Sequence, residues 1–409
     1  MATPLIGIGE LASLVNSLKD QHLGSAPVVE SDLSNIADFG RSYDALDSDT
    51  KNIVTSGLIT LVTEQLFIQK TYSGNGIDVI RSRSFEPSDG IIQKNRPALP
   101  QAVSDGDAYD PTAGSTSDPF VNYPINFETE YFFKPFQYRY QWSKPERWMV
   151  GMFNSRDGLL NAVNSIDRSI RNAIELNIED TTMGLIRSSM ALNLATADDL
   201  TGVGSNQAVN LLAKYNQAYS QTLTAANALT TPEFMRFAIH EIFVVMDYMK
   251  SYSVLYNEKD FPNFSSPAES HFVMLSQFRR GVDQFLLSDT YHDEYLKLPN
   301  GETVAAWKGF LLGAKTAPDF ESTSTINDSV DVSWETDPVT VNTSGVLATI
   351  FDKERVGIYD FSTKQTSQKD PVGLKTNYFT HVFGKGIVDP YENGVTFYIK
   401  DAEDPAPEA

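Results

Sequence analysis

Chemistry in this sequence would have to come from 5 histidines and 53 acidic residues, because there is no cysteine. His240-Glu241 starts like a zinc-protease helix, but the position four residues after His240 is Val244, so a second imidazole on the same face is missing. Gly202-Val203-Gly204 could begin a dinucleotide-binding turn, yet Gln207 stands where the third glycine is needed. Gly384-Lys385 resembles the end of a phosphate-binding loop, but Phe379 replaces its first glycine and Gly386 follows the lysine in place of Ser or Thr. Asp105-Gly106-Asp107 opens like a calcium loop and then departs from it, with Tyr109 and Asp110 at the positions of a ligand and the glycine. The triplet His292-Asp293-Glu294 offers metal-ligand chemistry, but adjacent residues seldom converge on one ion. His22, His271 and His381 have no partner visible in the sequence, and acid pairs are too common among 53 carboxylates to single out one for glycosidic chemistry. No catalytic, cofactor-binding or metal site is expected, and the chain is not expected to be an enzyme.

The elements that would position such residues are better defined. A length of 409 residues allows two or three packed lobes, and 41% apolar residues suits a globular chain. No run reaches the ~18 apolar residues that a membrane span requires. Lys+Arg 32 against Asp+Glu 53 gives a net charge of −21, which disfavours tight binding to nucleic-acid phosphates, since that needs clustered cations. Without cysteine there are no disulfides, thiolate metal sites or thiol nucleophiles. The opening MATPLIGIGELASLVNSLKD lacks the basic segment and compact apolar run of a signal peptide, so a soluble protein with a cytoplasmic start is expected.

Ser155 to Ser188 organises the rest. Leu159, Val163, Ile166, Ile170, Ala173, Ile174 and Ile178 recur at three or four residues and predict one helix over 155–188, roughly 50 Å long. Ser155 suits the N-cap, and Asp167 and Arg171 form an i,i+4 pair. Neither flank continues the pattern, which favours a strut laid across a sheet over a coiled coil. Before it, 86–124 holds Pro87, Pro97, Pro100, Pro111, Pro119 and Pro124 and cannot be a regular helix or central strand. Composition alone would fit a linker. The strand-like flanks 77–85 and 126–142, and the apolar residues within it, instead predict a long two-legged arm lying on another subunit. In 126–142, NFETEYFFKPFQYRYQW, aromatic residues alternate as in strands. Subunit contact is expected at Ile91, Ile92, Leu99, Tyr109, Phe120, Phe127, Tyr131, Tyr138, Tyr140 and Trp142.

Further helices are predicted over 5–19, 31–39, 48–67 and 277–287, with two in 206–250, the second opened by a capping box from Thr230 to Glu233. Strands are predicted over 271–275, weakly over 330–334, and over 346–351, 356–361, 378–388 and 394–400. The segment 302–312 could be either. An acidic tail closes the chain.

This order of segments resembles the Hong Kong 97-type fold of tailed-phage major capsid proteins. It is most similar to the phi 29-like group of small podoviruses of Gram-positive bacteria. The similarity rests on SRDGLLNAVNSIDRSIRNAI after an aromatic strand and on DKERVGIYDFSTKQTSQKDPVGLKTNYFTHVFGKGIVDPYENGVTFYI. The sequence departs from phi 29's own protein in ending at Ala409 without an appended immunoglobulin-like domain. The resemblance implies an α+β fold: an N-terminal arm (1–47); a peripheral domain (48–76 and 143–205) containing the spine helix 155–188; and an extended E-loop with its flanking strands (77–142). An axial domain (206–342), closing strands returning to the peripheral domain (343–400) and the tail 401–409 follow. It further implies self-assembly as pentamers and hexamers into an icosahedral shell, in the virion, built in the host cytoplasm. Implied partners are portal, scaffold and head-decoration proteins and non-specifically contacted double-stranded DNA, with no cofactor and no membrane. Two alternatives remain at this point, an encapsulin-type compartment shell and a phage wall-degrading hydrolase.

Overall fold

The chain enters with helix α1 (Ile8–His22), on which Ala12 and Val15 are buried. Asn16 draws the next stretch back onto it, donating to the Val29 carbonyl and accepting from the Val29 N–H, each at 2.7 Å. The computed structural model describes residues 8–22, 28–35, 38–39, 41–42, 91–100, 120, 124–132, 135–145, 156–287, 301–308, 319–332, 337–373 and 375–402. The helix expected over 31–39 is mostly turn, because Asp32 and Asn35 accept from nearby backbone N–H groups of Ser34 and Glu30, an alternative to helical bonding. The expected strand 77–85 and helix 48–67, the N-cap at Ser155, Tyr109, Asp105-Gly106-Asp107 and His292-Asp293-Glu294 lie outside the described residues. So do the side chains of Asp167 and Arg171.

Strands β1 (Ile92–Pro97) and β2 (Phe127–Phe132) form an antiparallel ribbon with Ile92 opposite Phe132 and Pro97 opposite Phe127. Pro97, lacking an N–H, is tolerated at the end of such a ribbon. β3 (Pro135–Pro145) belongs to a different sheet, so the aromatic stretch is divided between two. Helix α2 (Arg156–Ala195) follows, 40 residues and about 60 Å long. It runs past Ser188, the expected end; residues 189–194 are buried on every side, so no amphipathic period marks the continuation.

Next come β4 (Ala208–Asn210), α3 (Leu211–Tyr219), α4 (Ala225–Ala228) and α5 (Pro232–Met249), three helices where two were expected. The capping box does not form. Thr231 is the N-cap, and the hydroxyls of Thr230 and Thr231 both donate to the Asn227 carbonyl. β5 (Ser270–Leu275), α6 (Ser276–Leu287) and β6 (Glu302–Val304) lead to α7 (Phe320–Ser324) and the ribbon β7 (Ile326–Val330) and β8 (Val339–Thr343). The weak strand read at 330–334 therefore lies earlier.

β9 (Val346–Asp352), β10 (Val356–Asp370), β11 (Lys375–Val388) and β12 (Gly394–Tyr398) complete the chain's strands. Of these, β10 and β11 join β3 in a sheet ordered β10-β11-β3. β9 and β12 instead enter a mixed sheet ordered β4-β12-β9-β5-β6. β9 and β12 thus pair with strands from before residue 342, the expected boundary of the closing strands. Every residue of β9 and β12 is buried, as expected of strands covered on both faces, with α2 and α3 against β12 and α6 against β5. Gly386 lets β11 approach the helix: a Cβ there would lie 2.8 Å from Leu185 of α2.

Candidate subunit interface

The β1–β2 ribbon has two unlike faces, as alternation along paired strands requires. On one face Lys94 stands opposite Glu130 and Arg96 opposite Glu128. This face meets the turn between β11 and β12. Lys94 Nζ donates to the Glu354 carbonyl at 2.6 Å and pairs with Asp389 at 2.9 Å. Arg96 pairs with Asp389 and, at 3.0 Å, with Glu392, its guanidinium 4.8 Å from the centre of the Tyr391 ring. Burial acts to lower the Arg96 pKa, but the Asp389 and Glu392 carboxylates more than reverse it, so the value is raised and the cation retained. The Asp389 side chain is wholly buried, which makes this a desolvated pairing and not a surface one.

The other face carries no charge in either strand: Gln93, Asn95 and Pro97 from β1, Phe127, Thr129 and Tyr131 from β2. Phe127 and Tyr131 are 59% and 62% exposed, and Ile91, Leu99 and Ile125 at the ribbon's ends are about equally open. Phe120 is exposed as well. Among the expected contact residues, Ile92 is half-buried. Tyr138, Tyr140 and Trp142 are placed differently, on the side of β3 that covers α2. The Tyr138 hydroxyl lies 2.5 Å from Thr181 Oγ1, Tyr140 donates to the Ala173 carbonyl and accepts from Asn177, and Trp142 stacks on Tyr378. These three are half-buried and make their contacts within one copy.

Behind the turn sits Arg355, fully buried. Its Nε donates to Ser189 Oγ at 2.8 Å, and Nη2 donates to Asn193 Oδ1 and Glu258 Oε1, each at 2.7 Å. Nη1 donates to the Glu392 carbonyl. One guanidinium thus joins α2, the segment after α5, the β9–β10 turn and the β11–β12 turn that carries the ribbon.

A family model for the Phi29-like phage major capsid protein matches residues 12–398. The chain belongs to the Phi29-like phage major capsid protein family. As such it is a major capsid protein of the virion, with a structural role, and its α+β fold is of the Hong Kong 97 type. The capsid structure of Staphylococcus phage Andhra aligns with a TM-score of 0.50 at 10% identity, covering 81% of this chain and 86% of that one. The capsid of cyanophage P-SCSP1u aligns with a TM-score of 0.45 at 11% identity, over 81% and 93%. No curated protein sequence matches the chain.

In this Phi29-like capsid subunit the sequence's near-motifs have ordinary places. His240 is exposed on α5, and Glu241 pairs with Lys214 at 2.9 Å. Gly204 occupies a left-handed turn at φ +84° before β4. Gly384 and Lys385 are interior to β11, where Gly384 makes room for the Phe136 ring. Among the described residues no group of His, Asp or Glu is placed to hold a metal ion, and no helix is long and apolar enough to cross a membrane. The ion-pair residues of the ribbon and Arg355 were not identified from the sequence. Lys94 and Arg96 gave a weak signal, alternating in a segment otherwise poor in cations, but Asp352-Lys353-Glu354-Arg355 reads as a solvated turn.

Proposed function

We propose that copies of this subunit assemble as pentamers and hexamers into an icosahedral shell enclosing the double-stranded DNA of a tailed phage, built in the host cytoplasm. The observation that carries this reading is the two-faced ribbon. Its charged face is anchored on the same chain, while an uncharged, aromatic face is left exposed, a surface suited to being covered by another copy. We assign subunit contact to Ile91, Leu99, Phe120, Phe127 and Tyr131. Repetition of such a contact, with unlike patches meeting, closes into rings. In this assignment α2 is the spine of a peripheral domain and β4-β12-β9-β5-β6 with its helices the core of an axial domain. The ribbon is the described part of the E-loop. Portal, scaffold and head-decoration proteins are the further partners, and the genome is contacted without sequence preference. Purified full-length protein examined by size-exclusion chromatography and electron microscopy should give capsomers or closed particles. A lone monomer at all concentrations and salt conditions would overturn the reading.

A further inference from the structure

The sheet β10-β11-β3 carries Arg139, Lys144, Lys364, Lys369, Lys375 and Lys385 against Asp360 and Asp370, in a chain of net charge −21. One side of this sheet covers α2, where Tyr138 and Tyr140 bond. On the side facing away, the register puts Arg139 opposite His381 and His381 opposite Lys364, in one row across all three strands. Arg139 and Lys364 are exposed and His381 half-buried. Their neighbours are uncharged: Phe379 lies 5.9 Å from the Arg139 guanidinium, Phe383 stacks on His381, and Thr366 Oγ1 is 3.4 Å from His381 Nε2. Neither Arg139 nor Lys364 has an ion pair among the described residues.

A second patch has the opposite character. Residues 319–343 contain no lysine or arginine, and Asp319, Glu321, Asp331 and Asp337 are exposed around the β7–β8 ribbon. Ser188 of α2 fixes this lobe by donating to Asp328 at 2.8 Å. The basic row lies over Asn177 and Thr181 instead. From Asn177 to Ser188 is about 16 Å along the helix, roughly two Debye lengths at physiological salt, so the patches scarcely neutralise each other within one copy.

We propose that the Arg139–His381–Lys364 face of one subunit docks on the acidic β7–β8 lobe of a second copy. The inference rests on the shell reading and names one contact within it. Charge complementarity selects the occupant: every other copy presents the required anions at a fixed place, and the contact joins unlike patches, as a closing ring requires. Duplex DNA fits less well, because a single row of cations flanked by phenylalanines offers few phosphate contacts.

The test uses full-length Arg139→Glu/Lys364→Glu, Asp331→Lys/Asp337→Lys and the combination of all four, compared with the unmodified chain by sedimentation velocity and electron microscopy. Each double variant should weaken association of copies at least tenfold with an unchanged thermal midpoint, and the fourfold variant should restore it. Double variants that associate as well as the unmodified chain, or a fourfold variant no better than either, would overturn the proposal. So would intact shells of Arg139→Glu/Lys364→Glu that retain less DNA, which would assign the face to nucleic acid. Failure of the unmodified chain to form shells counts against the preceding reading. The docking claim is then decided by the same pattern of loss and restoration in pairwise association.

Discussion

Arg355 and Glu258 show how much one buried pair can decide. The guanidinium is fully buried, and its four partners lie on three segments far apart in sequence. Burial raises the Glu258 pKa, and Arg355 lowers it only in part, so the folded-state value stays above the ordinary one. The folded chain therefore binds this proton more tightly than the unfolded chain. The stability it contributes is present below the ordinary carboxylate value and is lost as pH rises through the folded value. Glu258→Gln should remove that slope in urea unfolding followed across pH. Arg355→Ala leaves the Glu258 carboxylate without its partner and should cost about 3–5 kcal/mol in the same measurement. Neither residue was legible in the sequence, because Arg355 in a run of four charges and Glu258 in a run of three look solvated until the tertiary structure encloses them.

The elements divide into those whose signal is local and those whose signal is not. Helix α2 was readable over 155–188 from its apolar stripe, since a helix with one apolar face repeats it with a 3.6-residue period. Its end at Ala195 was not, because a helix buried all round has no period to read. β10 was expected to stop at Phe361 but continues to Asp370 through residues that are mostly polar, where pairing with β11 and not side-chain pattern keeps it extended. The aromatic stretch was read correctly as strands, but its division between the ribbon and the β3 sheet separates outward Phe127 and Tyr131 from inward Tyr138, Tyr140 and Trp142. That separation makes a prediction at the ribbon. Phe127→Ser/Tyr131→Ser should leave the thermal midpoint within a few degrees, because exposed side chains contribute little to folding, and should sharply reduce particle yield in electron microscopy. Unchanged particle yield would remove the ribbon's outer face from the contact.

For the molecule as a whole, net charge sets the conditions of assembly. Copies each carrying −21 repel one another over a Debye length of about 30 Å at ~0.01 M salt but only about 8 Å at ~0.15 M. Assembly followed by light scattering should be markedly slower in the dilute buffer, and equal rates in the two would exclude repulsion as the controlling term. The resemblance carried by the order of segments implied the α+β class, and the sequence by itself determined the long helix, the closing strands, the acidic balance and the lack of any complete catalytic motif. These depend on composition and on periods that neighbouring residues impose on each other. Only the tertiary structure decided that β9 and β12 complete the sheet of β4, β5 and β6, that Arg355 is enclosed, and which face of the ribbon is left uncovered. Each of those depends on segments far apart in the chain meeting in space, and burial or exposure of a side chain is a property of that meeting.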